Sequence, residues 1–133
     1  MNEFSLNTKS SIITNHSLLI GFTSNTNKGL YRKENEDRIS IVLNILKPPS
    51  RSKESWPRIL YFGLFDGRTK CCDYLAKNLH HFIFSNNCFP NDPIQAIYNG
   101  FYEIESYFLS DLSNISQSGS CAIIVIIMSN YII

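Results

Sequence analysis

Two short acidic stretches carry the residue types that could do chemistry in this chain: Arg32-Lys33-Glu34-Asn35-Glu36-Asp37 and Phe65-Asp66-Gly67. Read as extended backbone entering a strand, the first places Arg32 and Glu36, four residues apart, on one face and turns Asp37 the other way. That face offers a guanidinium for a phosphate and a carboxylate for a cation. Asp37 is better placed to support such a site than to ligate. Asp66 ends a buried apolar run, and Gly67 lets the backbone turn tightly and present its carbonyl. Carboxylate and carbonyl oxygens are the ligands that hard ions such as Mg²⁺ or Mn²⁺ take. The same residues also read as two solvated turns, since Asp-Gly is a common turn dipeptide. Spacing alone leaves both readings open.

The elements that must position these residues follow from periodicity. Residues 17–22 read as a strand, followed by a polar turn over 24–29. Over 38–46, Ile39, Ile41, Leu43 and Ile45 alternate onto one face, the period of a half-buried strand. Residues 47–58 hold three prolines and several charges, which predicts a surface loop. Residues 59–65 form a nearly unbroken apolar run, as expected of a strand covered on both faces. Two helices come next. Residues 69–85 space Cys72, Leu75, Leu79, Phe82 and Ile83 by threes and fours. Asp92-Pro93 supplies an N-cap and a first-turn proline for a second helix, with Ile94, Ile97, Phe101, Ile104, Phe108 and Leu112 on its stripe. A loop over 113–119 leads to a buried strand at 120–128.

The resulting order, β-β-β-α-α-β, favours an antiparallel helix pair laid on one sheet over a doubly wound fold, in which strand and helix would alternate. The fold class is therefore α+β. Gly29, Gly63 and Gly67 make no phosphate-cradling glycine loop, so a nucleotide fold has little support.

Composition narrows the function classes further. A chain of 133 residues suits one domain, and 12 basic against 11 acidic residues leave a net charge of +1. That balance gives no footprint for nucleic acid or an anionic membrane surface. Residues 1–14 lack the basic start and apolar run of a signal peptide, and 121–128 is far too short to cross a bilayer. The expectation is a cytoplasmic or nuclear protein with neither nucleic acid nor membrane as partner. Cys71, Cys72, His80, His81 and Cys88 invite a zinc reading, but zinc sites favour cysteines two to four residues apart. Adjacent helical neighbours point about 100° apart. Buried thiols in a reducing compartment are the better reading.

Three stretches taken in order carry a resemblance. They are Gly29-x-x-Arg32-x-x-x-Glu36-Asp37-Arg38, then Phe62-Gly63-Leu64-Phe65-Asp66-Gly67, then Ser118-Gly119-Ser120-Cys121-Ala122. Together they resemble successive motifs of the metal-dependent protein phosphatases, protein phosphatase type 2C, over about residues 21–128. The resemblance implies a sandwich of two β-sheets flanked by helices. This chain would supply its N-terminal half, a partial sandwich over 17–133 behind an N-terminal extension at 1–16. It implies phosphomonoester hydrolysis on a phosphoserine or phosphothreonine protein, with Mg²⁺ or Mn²⁺ as cofactor. By the same resemblance Arg32 matches the arginine that holds the phosphate. Glu36, Asp66 and the Gly67 carbonyl match metal ligands, and Asp37 matches a supporting acid.

The chain departs from that pattern in three places. Arg68 stands where the family has a histidine acting as general acid, and arginine stays charged and is a poor proton donor. Thr69-Lys70 replaces a glycine pair, and the family's later aspartate ligands have no counterpart in this chain. The expectation is a phosphatase-type domain of impaired activity that depends on a complementing C-terminal half. Its strand at 121–128 would then show an open edge and an uncovered apolar face. The alternatives are an inactive module binding a partner or phosphopeptide through Arg32 and Arg68, or a truncated reading frame.

Overall fold

The computed structural model describes residues 7–12, 21–51, 55–110, 119–129 and 131–133. Its strands are β1 (Asn7–Ile12), β2 (Gly21–Thr26), β3 (Arg38–Val42), β4 (Ile59–Gly67), β5 (Ser120–Met128) and β6 (Tyr131–Ile132), and its helices are α1 (Thr69–Ser85) and α2 (Pro93–Ser110). β3-β4-β5-β6 form one antiparallel sheet, and β1-β2 form a separate antiparallel pair. The fold is α+β, as the succession of two helices between β4 and β5 requires.

Alternation along the central strands sorts side chains onto two faces. Across the ladder Val42, Tyr61 and Ile126 lie level, and so do Phe65 and Ala122. These residues face the helices, where Ile59, Tyr61, Phe65 and Ile126 are completely buried with Cys72, Leu79 and Ile83 of α1 and Ala96 and Ile104 of α2. Burial of that many large apolar side chains, each worth about 1.5–3 kcal/mol, drives the docking of the helix layer. α1 and α2 run antiparallel, with Tyr74 against Phe108 and Ile83 against Gly100. A Cβ on Gly100 would stand 2.7 Å from Ile83 Cγ1, so this glycine is what lets the helices approach closely.

α1 and β5 fall where periodicity predicts them, and Asp92 caps α2 by accepting the Gln95 N–H at 3.0 Å, with Pro93 in the first turn. Other expectations need correction. The polar stretch 24–26 is strand, because its backbone pairs with 7–9; residues 17–20 of the expected strand lie outside the described residues. β3 ends at Val42, so Ile45 leaves the alternation and drops into the helix-side core, where its carbonyl accepts the Trp56 indole N–H at 3.0 Å. The expected surface loop contains a 3-10 turn, Pro49–Arg51, whose arginine is only 6% exposed. Arg51 donates to the carbonyls of Phe89 and Asn86 and so ties this loop to the connection between the helices. Ile94 is exposed, whereas Ala96 and Gly100 are buried on α2; Leu112 lies outside the described residues. Periodicity had no means of ranking small residues at a helix crossing. Finally, β5 is not wholly an edge, since β6 pairs with Ile127 and Met128.

Candidate functional site

The three sequence stretches meet at one end of the four-stranded sheet. Arg38, the first residue of β3, pairs with Phe65, and Asp66 and Gly67 at the end of β4 pair with Cys121 and Ser120 at the start of β5. The stretch 32–37 therefore enters the sheet on one side of Asp66, and the Gly119-Ser120-Cys121 stretch enters it on the other side. Tight backbone packing fixes this junction. A Cβ on Gly67 would stand 2.6 Å from the Ser120 Cα, and the Arg68 N–H donates to the Gly119 carbonyl at 3.0 Å. Only glycine fits at 67, whether or not its carbonyl serves as a ligand.

A clamp not foreseen from the sequence holds the incoming loop. The Arg38 guanidinium donates to the carbonyls of Asn35 and Asp37, and its Nε donates to Asp73 Oδ1 of α1 at 2.6 Å. Asn35 adds two contacts: its side chain accepts the Asp37 N–H at 3.1 Å and donates to Thr26 Oγ1 of β2 at 2.8 Å. The loop is thus pinned to both sheets and to α1. Arg38 was visible only as part of the first motif, and Asp73 as one more helix acid, because a contact across 35 residues leaves no local pattern.

On this frame Asp66 is exposed at the strand end, and Asp37 and Glu36 are partly exposed one and two residues before β3. Arg32 is exposed and ion-paired with Glu36. Arg68 is also exposed, and it stands at the N-cap of α1 without making a side-chain cap. Behind the acids lies Cys72, whose thiol donates to Ser120 Oγ at 3.2 Å. Burial pushes that thiol up. The Ser120 hydrogen bond and the Arg38 charge act the other way, and the Asp66 and Asp37 carboxylates add to the rise. Both carboxylates are therefore electrostatically felt at one point under the sheet end.

The donor chemistry suits a hard cation, but the assembly does not close around one. Among the described residues no three His, Cys, Asp or Glu side chains come together as a metal-holding group, and the Glu36 carboxylate is engaged by Arg32. Asp66 is exposed at the strand end, and one carboxylate is short of the six oxygen ligands that Mg²⁺ normally takes. Among the described residues no complete Mg²⁺ or Mn²⁺ centre is assembled.

Comparison with known proteins bears on the same stretches. Among curated proteins, "Protein phosphatase 2C homolog 2" of Hypocrea jecorina (strain QM6a) is 28% identical over 104 residues, covering 75% of this chain and 24% of that protein. The chain thus spans about a quarter of the length of this relative. The family model of protein phosphatase 2C matches residues 21–133, which takes in all three motifs and both helices, and the chain belongs to that family.

Proposed function

We propose that this chain provides the N-terminal part of a metal-dependent protein serine/threonine phosphatase site, in a form that is impaired on its own. The observation that carries this reading is the convergence of the Arg32–Asp37 stretch, Asp66-Gly67 and Gly119-Ser120 at one sheet end, in a chain matched by the phosphatase 2C family. In this reading Glu36, Asp66 and the Gly67 carbonyl contribute part of the oxygen set for Mg²⁺ or Mn²⁺, and Asp37 supports them. Arg32 holds the phosphate of a phosphoserine or phosphothreonine protein. Arg68 replaces the proton donor, a loss that typically costs about 10²–10⁴ in rate.

Calorimetric titration with Mn²⁺ tests the metal part. The expected result is one weak site that Asp66→Ala abolishes. Two tight sites, or binding unchanged in Asp66→Ala, would overturn it. Initial rates test the chemistry. An aryl phosphate expels a stabilised phenolate and hardly needs an acid, whereas phosphoserine must expel a basic alkoxide. Turnover should therefore favour p-nitrophenyl phosphate over a phosphopeptide. Arg68→His should narrow the gap only when a complementing C-terminal fragment is supplied.

A second reading, a catalytically inactive module that captures a phosphopeptide, is favoured by a different observation. Arg32 and Arg68 are both exposed, and Glu36 is neutralised by Arg32 rather than left free for a cation. Phosphopeptide binding without turnover, even with the complement present, would select it.

A further inference from the structure

The groove between α1, α2 and the start of β5 borders the site above at Gly119 and Ser120 but contains none of its acidic or arginine side chains. Cys71 and Leu75 of α1, Phe101 and Phe108 of α2 and Ala122 of β5 wall a volume of about 290 Å³. That is less than a typical small-molecule pocket and suits one or two apolar side chains. Glu105 and Leu109, both exposed on α2, also line it, with Ser120 at the β5 end. Glu105 is near enough to Cys71 to help raise its thiol, after the larger effect of burial.

The groove continues onto the outward face of α2. Residues three and four apart are neighbours on a helix, so Tyr98, Tyr102, Glu105 and Leu109 form one stripe. Tyr98 and Tyr102 are 70% and 74% exposed. A solvent-facing helical surface is ordinarily polar and charged. This one is aromatic, and exposed contiguous apolar surface of that kind marks an interaction site.

Charge identifies the occupant. α2 contains no lysine or arginine; its charges are Glu103 and Glu105. Among the described residues Glu105 has no basic partner. A cationic segment would find the Glu105 carboxylate beside two tyrosine faces that attract guanidinium groups. We propose that the α1–α2–β5 groove and the Tyr98–Tyr102 stripe dock a basic amphipathic segment of a partner protein, with an apolar side chain in the groove and a lysine or arginine on Glu105.

The test uses a fluorescein-labelled peptide with leucine and arginine in amphipathic helical spacing, and a control with every arginine replaced by glutamate. Both are titrated by anisotropy against the whole chain. The arginine peptide should bind at least about tenfold more tightly, and its affinity should fall with salt. Glu105→Lys should weaken it about tenfold, and Tyr102→Ala severalfold, with unchanged circular dichroism because both side chains are exposed. Alkylation of Cys71, followed by mass spectrometry, should slow when the peptide binds, while exposed Cys121 keeps its rate. Equal affinity for the two peptides, no binding of either, or an unprotected Cys71 would each overturn the proposal. Self-association abolished by Tyr102→Ala, without peptide binding, would assign the face to a second copy instead.

Discussion

The two faces of the four-stranded sheet are built from the same strands and differ in almost everything else. On the helix side Ile59, Tyr61, Phe65 and Ile126 are fully buried. On the other side Leu64 and Ile123, level with each other and with Ile39 across the ladder, are 43% and 66% exposed. There Phe22 of β2 reaches Phe62 edge to face at 5.5 Å and helps to cover Leu60 and Ile127. Beside it an apolar hollow of about 410 Å³ lies between β2 and Ile41, Leu64, Ile123 and Val125. The strands alternate apolar on both sides, so both faces have the composition of a core, while among the described residues the helix side holds the large buried cluster and the other side only the small one around Leu60 and Ile127. Stability therefore resides in the helix side. The outer face is suited to a further layer, and the candidate site lies at the end of the sheet where that layer would begin.

The largest effect should come from testing that asymmetry directly. Phe65→Ala removes a completely buried ring and should cost about 3–5 kcal/mol in urea unfolding, whereas Ile123→Ala, mostly exposed, should cost less than about 1 kcal/mol. Losses of similar size would mean that the outer face is covered in solution, and the comparison would fail.

Legibility in the sequence followed the same division. α1 and β5 could be read to the residue because their signals are local: Cys72, Leu79 and Ile83 recur at helical spacing, and 121–128 is an unbroken apolar run behind Ser120. β1 and the 24–26 part of β2 were missed because a backbone ladder between polar residues leaves no hydrophobic pattern in the sequence. Buried Arg51 was read as loop because its partners are carbonyls 35 and 38 residues away. Within the site, Asp66 and Gly67 stood out because an apolar strand ending in Asp-Gly is a local signal. The Arg38–Asp73 clamp did not, since only the packing of α1 on the sheet brings those residues together.

The helix side has flaws of its own, and one makes it sensitive to pH. His80 lies beside Tyr61 and His81, and its Nδ1 is buried without a hydrogen-bond partner among the described residues. Burial, reinforced by the neighbouring His81, pulls its pKa down from 6.5 to about 4. The unfolded chain therefore binds this proton first as pH falls. Its contribution is fully present above about pH 6.5 and is lost progressively down to about pH 4. Discounted for the solvent that reaches the half-buried ring, the loss should be about 1–2 kcal/mol. Urea midpoints measured across that window should fall in the parent chain and flatten in His80→Gln. An unchanged slope in the variant would place the acid sensitivity elsewhere.

The smallest effect, and the one whose sign says most, belongs to Tyr61. Its ring fills the centre of the helix-side core, but its hydroxyl is buried with no hydrogen-bond partner among the described residues, and burial pushes its ionisation well up. A hydroxyl dehydrated without compensation is a standing cost, so Tyr61→Phe, which keeps the ring against Phe84 and His80, should raise stability by about 0.5–1 kcal/mol. The opposite sign would mean that the hydroxyl is satisfied in solution. The unpaired His80 Nδ1 suggests how, through a buried water shared by the two groups. The pH series separates the outcomes. If the hydroxyl stands alone, Tyr61→Phe leaves the slope between pH 6.5 and 4 as it was. If a water joins the pair, removing the hydroxyl also strips His80 of its partner, and the midpoint and the slope must change together.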